Sequence, residues 1–319
     1  MSAPDQAPIL TVTLNPALDL STAADQVVAE VKLRCEAPRV DPGGGGINIS
    51  RAIAAMGGTS RPLVALGGHT GARMAQMLAE AGLDPIRLDT AGETRQSVVV
   101  TDRDSGEQYR FVMPGPDWPP DLVARSLDEI ARHAAPDGFV VLSGSNPPGV
   151  PDDYAASLAA RLADSGSHLF VDTSGHALSA VASGGHGVAL LRMDRHEAET
   201  LAGRPLAERR DTALFAASLV KDGAAQAVIV ARGGDGNIIA TAEGAWHAEA
   251  AKVPIVSKVG AGDSFVAGFT LARARGMATP DALGLGAAMA SAACMTPATA
   301  LCRRADVDRL FGQRVVTRL

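Results

Sequence analysis

Short apolar runs alternate along the chain with longer stretches whose apolar residues recur at helical spacing. The runs Ile9–Leu14, Pro62–Leu66, Phe139–Leu142, Leu169–Val171, Val188–Leu191 and Ala227–Val230 read as strands. Helical patterns fall between them, near 47–57, 70–82, 121–133, 152–164, 196–202 and 211–222. Strands that are apolar on both faces and separated by helices predict a mostly parallel sheet covered on both sides. Right-handed crossovers then give a doubly wound three-layer α/β/α fold. The alternation breaks twice, at Leu20–Val40 and Asp84–Phe111, where polarity alternates residue by residue as in Gln96–Thr101. The segment Asp102–Glu107 reads as the hairpin turn of the second break. So few strands cannot bury a face of their own and are expected to cover a pocket mouth or a second subunit. The expectation is one domain over residues 1–319, with a small β-sheet lid formed by insertions at about 20–40 and 84–111.

Composition narrows the function. The chain has 319 residues, 46% of them hydrophobic but only 3% aromatic, so Ala, Val, Leu and Ile must build the core. Two Trp and two Tyr offer little for stacking bases, and a net charge of −6 disfavours a nucleic-acid or anionic-membrane surface. Three cysteines, Cys35, Cys294 and Cys302, form no CxxC pair and suit a reduced cytoplasmic protein. Residues 1–8 carry an acid, two prolines and no basic run, unlike a secretory leader. Ala282–Cys302 is uncharged and long enough to span a bilayer, but it is Ala- and Gly-rich and broken by Pro297. A buried helix followed by a loop is therefore expected there.

Two glycine motifs carry the chemistry. In Val259–Phe269, Gly260, Ala261 and Gly262 precede Asp263 and an apolar helical run. A helix opening this way aims unpaired N–H groups and its positive dipole end at one spot. An anion can settle there, and the carboxylate of Asp263 can take a proton from an attacking hydroxyl, which is the equipment of phosphoryl transfer to an alcohol. The second motif, Asp41–Gly46, leads into a helical segment with Asn48 in its first turn. It lacks the Lys-Ser/Thr of a Walker loop and the preceding strand of a dinucleotide fingerprint.

Together, the glycine loop near residue 45, the Gly-Ala-Gly-Asp motif at 260–263 and the two-part lid resemble the PfkB, or ribokinase-like, family of sugar kinases, from about Leu10 to Cys302. Asn15–Asp19, Lys32–Cys35, Pro42–Asn48, Ser105–Gly115 and Ser143–Gly149 are similar to the branch of minor ATP-dependent 6-phosphofructokinases of bacteria. Kinases of fructose 1-phosphate or tagatose 6-phosphate carry Gly-Gly-Lys-Gly where this chain has Gly43–Gly46.

The resemblance implies a ribokinase-like fold and transfer of the ATP γ-phosphate to the 1-hydroxyl of fructose 6-phosphate. Asp263 is the base it implies, with Gly260, Ala261 and Gly262 as the anion hole. Asp19 and Asn48 meet the sugar hydroxyls, Gly44 and Gly45 let the sugar approach the backbone, and Ser145 lies beside it. Arg95 contacts the sugar phosphate, and Lys32 and Arg34, placed on the first lid strand, complete the clamp from the same or a neighbouring subunit. Mg²⁺ shields the triphosphate, and Glu197 organises metal-bound water within Arg192–Glu197, where the family reads Lys-Pro-Asn-x-x-Glu.

Asp194 is thus a departure beside the nucleotide, as is Lys258 just before the anion-hole motif. Arg232, Gly233 and Gly236 fall near the ATP phosphates or ribose. Thr296–Cys302 lacks the glycine and arginine expected beside adenine and a monovalent cation, so K⁺ dependence is an open question. A homodimer through the lid is implied. The alternatives are a kinase of fructose 1-phosphate or tagatose 6-phosphate, and a sugar-phosphate sensor with weakened catalysis.

Overall fold

The computed structural model describes residues 6–297 and 300–319. Parallel strands β1 (Ile9–Thr13), β4 (Arg61–Leu66), β5 (Ile86–Asp89), β8 (Phe139–Ser143), β9 (His168–Asp172), β10 (Leu190–Asp194) and β11 (Ala227–Ala231) form the body of a ten-stranded sheet. Antiparallel strands β12 (Asn237–Thr241), β13 (Gly244–Ala248) and β14 (Val316–Arg318) extend it at one edge. Lid strands β2 (Ala17–Ala24), β3 (Arg39–Gly43), β6 (Arg95–Asp102) and β7 (Gln108–Val112) make a separate sheet in the order β3-β2-β6-β7.

The pleat sorts each central strand between two cores. Val140 and Leu142 of β8, Leu169 and Val171 of β9, and Leu191 and Met193 of β10 enter one cluster. Their neighbours Phe139, Val141, Phe170 and Leu190 enter the other. The first cluster is closed by helices α3 (Pro120–His133), α4 (Tyr154–Leu162), α5 (Gly175–Ala182), α6 (Arg195–Ala202) and α7 (Arg209–Lys221). The second is closed by α1 (Gly45–Ala55), α8 (Ala261–Ala274), α9 (Thr279–Cys294) and α10 (Arg304–Gly312). Helix α2 (Gly68–Glu80) buries Met74 and Leu78 in a third cluster, with Leu18 at the base of the lid. This is the three-layer arrangement expected from the alternation of apolar runs and helices.

The differences lie at the margins. Strand β5, inside the expected second insertion, pairs with β4 in the main sheet, so the lid part of that segment begins at Arg95. The first lid strand starts at Ala17, and residues 25–38 between β2 and β3 form no strand. Lys32 and Arg34, expected on that strand, are therefore exposed side chains of an irregular connection. The uncharged stretch after residue 282 is the buried part of α9, and among the described residues no helix is long and apolar enough to cross a membrane. Cys35, Cys294 and Cys302 are all free. Of the segment read against a secretory leader, residues 1–5 lie outside the described residues, as do 298 and 299 of the loop discussed for a monovalent cation.

Candidate active site

Ligands of doubly wound sheets gather at the carboxyl ends of the strands, and there the chain concentrates its chemistry. Ser143 and Asp172 close β8 and β9, and Arg192 lies within β10, in direct register, Ser143 opposite Asp172 and Asp172 opposite Arg192. The Asp172 carboxylate accepts from Ser143 Oγ at 3.1 Å and from Arg192 Nη1 at 3.0 Å. Helix α8 opens above them from its N-cap Gly260, whose φ of 74° is left-handed backbone that suits glycine. Ala261, Gly262 and Asp263 occupy the first turn, where N–H groups have no intrahelical partner. A Cβ on Gly262 would stand 3.2 Å from Arg192 Nη2, so glycine lets the guanidinium close against the helix start. A dipole end and a buried cation thus converge on one spot.

Asp263 leaves that turn toward α1, where Asn48 Nδ2 donates to its Oδ2 at 2.8 Å. Burial pushes the Asp263 carboxyl up to about 6, helped by the Asp172 charge and opposed by Asn48 and Arg192. A carboxyl in this range is ionised at neutral pH yet basic enough to accept a proton. Burial also disfavours the Arg192 charge, but Asp172, Glu197 and Asp263 together more than offset it. Sequence reasoning missed Arg192 and Asp172 as site residues. The signal available was the carboxyl-end position of each on a strand that pattern alone had located.

Gly44 and Gly45 are also required by packing within the chain. A Cβ on Gly44 would stand 2.6 Å from Thr13 Cγ2, and one on Gly45 would stand 2.1 Å from Ser143 Oγ. The glycines let the loop lie against the ends of β1 and β8, which is what delivers Asn48 to Asp263.

On the lid side, Asp19 sits opposite Asp41 in the β2–β3 ladder, and its carboxylate packs against Gly43, where a Cβ would meet Oδ2 at 2.0 Å. Burial lifts Asp19 to about 6, against the pull of Arg95 and with a push from Asp41. Arg95 and Ser145 line one open cleft of about 550 Å³ with Asn15, Gly115 and Asn146. Arg95 donates from Nε and Nη2 to the Asn15 carbonyl and from Nη1 to that of Met113. Two of its five N–H donors remain for a ligand. Ser145 Oγ accepts from Asn15 Nδ2 at 3.2 Å.

A second cleft, of about 520 Å³, is lined by Gly233, Gly234, Phe265 and Ala287, and at its charged end by Arg192, Lys252 and Lys258 beside Ala261 and Gly262. Its charged lining is all cationic. Gly236 does not line it. Its φ is 102°, and a Cβ there would strike the Ala248 carbonyl at 2.1 Å, so this glycine serves the turn.

Arg232 also differs from expectation. It is 8% exposed, and its donors go to Asp235 Oδ2 (2.8 Å), the carbonyls of Leu206 (2.9 Å), Ala207 (2.8 Å) and Glu208 (3.4 Å), and Thr212 Oγ1. Only one Nη2 hydrogen falls outside these bonds, and the side chain ties the 206–208 segment to the turn carrying Gly233 and Gly234. Asp235, whose Oδ1 also accepts hydrogen bonds from Nε and Nη2 of Arg209, is held down at about 2 by Arg209 first and then Arg232. Arg232→Met leaves buried carbonyls without donors and is expected to cost ~2–4 kcal/mol of stability, read by chemical denaturation. An unchanged unfolding midpoint would refute the clamp.

Glu197 and Asp194 form a capping box on α6: Asp194 Oδ1 accepts from Glu197 N at 2.9 Å and Glu197 Oε2 from Asp194 N at 2.7 Å. Burial raises the Glu197 pKa, the Asp194 N–H opposes it, and the Asp194 charge adds to it. Glu197 Oε1 stays outside the box. Among the described residues no three His, Cys, Asp or Glu group as a metal cage. The arrangement fits a metal that arrives on phosphates with its own water and meets a single carboxylate.

The chain as a whole is similar to known proteins. The pfkB family of carbohydrate kinases matches residues 13–306. ATP-dependent 6-phosphofructokinase isozyme 2 of Mycobacterium tuberculosis is 39% identical over 303 residues, 95% of this chain and 88% of the relative. The Escherichia coli protein of the same name is 36% identical over 304 residues, 95% of this chain and 98% of the relative. The crystal structure of phosphofructokinase-2 from Escherichia coli in complex with potassium superposes with a TM-score of 0.91 at 35% identity, over 96% of this chain and 99% of that one. With a Gly-Ala-Gly-Asp helix start, a glycine loop delivering Asn48 to it, and a matching profile over most of its length, this chain belongs to the pfkB family of carbohydrate kinases.

Proposed function

We propose that this protein is an ATP-dependent 6-phosphofructokinase that converts fructose 6-phosphate to fructose 1,6-bisphosphate. The observation that carries the reading is Asp263, lifted to about 6 at the opening of α8 and facing Arg192. Asp263 takes the proton of the sugar 1-hydroxyl as the hydroxyl oxygen attacks the γ-phosphorus, and the bond from that phosphorus to the β,γ-bridging oxygen breaks to release ADP. The N–H groups of Ala261 and Gly262, with the Arg192 guanidinium, stabilise the charge on the phosphoryl oxygens. Gly260 supplies the left-handed cap that turns them inward.

In the lid-side cleft Arg95 binds the phosphate of the sugar and Ser145 lies beside the sugar, while Asp19 accepts from sugar hydroxyls and Asn48 offers its second amide hydrogen to one of them. ATP occupies the cationic cleft, with Gly233 and Lys258 at its phosphates and Arg232 and Gly236 shaping the turn behind them. Mg²⁺ carried by the nucleotide would neutralise triphosphate charge. Glu197 would hold its water, and Asp194 orients Glu197 through the capping box.

The lid supports a homodimer. Tyr109, Phe111, Val112 and Met113 are 38%, 52%, 69% and 40% exposed on or just beyond the edge strand β7. Paired across a dimer, the exposed Lys32 and Arg34 reach the partner's sugar phosphate. The protein works in the cytoplasm without nucleic acid or membrane, in keeping with its three free cysteines and net charge of −6.

A coupled assay with fructose 6-phosphate, ATP and Mg²⁺, run with and without K⁺, tests the reading. Turnover on the order of 10 s⁻¹ is expected, with fructose 1-phosphate and tagatose 6-phosphate giving lower kcat/KM because Gly43–Gly46 carries no lysine. Sugar-phosphate binding without turnover on any donor would leave a sensor in its place. Arg95→Gln removes a charged phosphate contact worth ~1.5–3 kcal/mol, so the sugar-phosphate KM is expected to rise about 10- to 100-fold. The ATP KM should barely move, and equal effects on both would count against the clamp.

A further inference from the structure

The Asn48 amide that meets Asp263 is gripped at its other end. Arg51, one turn later on α1, brings Nη1 to 3.4 Å from Asn48 Oδ1 while Asn48 Nδ2 lies 2.8 Å from Asp263 Oδ2. The Arg51 charge is in turn favoured at longer range by Asp41, a β3 residue only 8% exposed. Asp41 is held by the Arg39 fork, with Nη2 to Oδ1 at 3.1 Å and Nε to Oδ2 at 2.8 Å.

We propose that Arg51 is a positioning residue that fixes the Asn48 amide with its NH₂ toward Asp263, so that the lid strand β3 and the base are joined by an Asp41–Arg51–Asn48–Asp263 chain. A side-chain amide is a dipole whose ends are sterically alike, and only its partners choose between the two orientations. In the observed one a guanidinium meets the carbonyl and the amide NH₂ meets a carboxylate. Turned over, carbonyl would face carboxylate and NH₂ would face guanidinium, with both contacts repulsive. At 3.4 Å the Arg51 contact is long for a hydrogen bond, so its charge rather than a tight bond does the orienting. Burial disfavours the Arg51 cation, Asp41 supports it and Arg39 opposes it. The charges facing Asp263 from the other packed elements are Asp172 on β9 and Arg192 on β10. Those two groups bond to each other, and the Asn48 side chain bonds to Asp263 and Arg51.

The catalytic meaning of this chain rests on the kinase reading, but the orientation itself does not. The test is therefore a carboxyl titration of the full-length protein labelled with ¹³C-aspartate, the Asp263 signal being assigned by its loss in Asp263→Asn. A donor to the ionised form lowers a carboxyl pKa. Arg51→Met, which frees the amide to rotate, should therefore move the Asp263 midpoint upward by half a unit or more, and Arg51→Lys by less. Asp41→Asn, which loosens Arg51 without removing it, should give a smaller shift of the same sign and covers the case in which Arg51→Met fails to fold. An Asp263 midpoint unchanged in a folded Arg51→Met, or in Asp41→Asn if the former does not fold, overturns the proposal. A wild-type protein that titrates as described and a variant that shifts, with no phosphoryl transfer by either, would reject the kinase reading and leave the positioning role standing. With activity present, the acid limb of kcat/KM should move with the midpoint.

Discussion

Asp263→Asn is expected to lower phosphoryl transfer by about 10²–10⁴-fold, the range supplied by a positioned general base, without loss of fold. Asn matches the carboxylate in shape and still pairs with Asn48, but it cannot take the hydroxyl proton. Wild-type kcat/KM should rise with pH through about 6 and then level, because the base must be ionised and its pKa lies about there. Stability runs the opposite way. Asp263 ionises near 3.8 when unfolded and about 6 when folded, so the folded state holds the extra proton between those values. Its destabilising charge is absent below that window, grows across it, and is fully felt above pH 6. Replacing it with a neutral amide should leave the melting temperature at pH 8 equal to or above that of the wild type. Steady-state kinetics and thermal melts check both halves, and turnover within tenfold of wild type would remove Asp263 from its role.

Arg192→Met is expected to cost about 10²–10³-fold in kcat, comparable to losing one donor from an oxyanion site. The side chain closes on Gly262 where charge would build on the transferred group, and only 16% of it is exposed, so little water screens its field. Two consequences separate this role from simple structural support. Arg192 lowers the Asp263 pKa, so its removal should move the acid limb of the pH profile upward. It also leaves Asp172, 13% exposed, without its cation, a loss of ~3–5 kcal/mol for a buried pair. Adding Asp172→Asn should recover much of that stability while kcat stays low. A kcat within threefold of wild type at pH 8 in Arg192→Met, or one restored along with stability in the double variant, would show that the guanidinium serves packing alone.

The parallel body of the sheet was readable because its strands are buried on both faces and so appear as unbroken apolar runs. Helix α5, Gly175–Ala182, escaped notice because eight residues rich in Ala and Gly give little periodic contrast. The antiparallel edge β12–β14 escaped because Asn237, Gly244 and Arg318 blur its alternation and β14 lies far along the chain from its partner.

For the site, backbone chemistry was legible and side-chain direction was not. Glycines before Asp263 announced a helix start, which is a local property. Whether Arg232 faces a nucleotide or the carbonyls of 206–208 depends on a segment more than twenty residues away, and no spacing rule contains that. Arg192 drew attention only as a substituted motif residue, because its importance comes from register with Asp172 across two strands. Lys32 and Arg34 looked strand-like by alternation alone, yet the lid ladder ends before them.

The chain's two tryptophans sit at opposite ends of its architecture. Trp118 is 3% exposed, and its backbone N–H donates to the carbonyl of Pro148, a residue that lines the cleft with Arg95 and Ser145, at 2.8 Å. Trp246 lies on β13 under the Arg318 guanidinium, 5.6 Å from its ring, where the last strand completes the sheet. Each indole is thus a built-in optical probe of a different event. Emission from Trp118 is expected to follow occupancy of the lid-side cleft, and emission from Trp246 to follow fraying of the carboxyl-terminal edge. With Trp246 replaced by Phe, fluorescence from the unlabelled protein would track a sugar phosphate entering its site without interference from the rest of the fold.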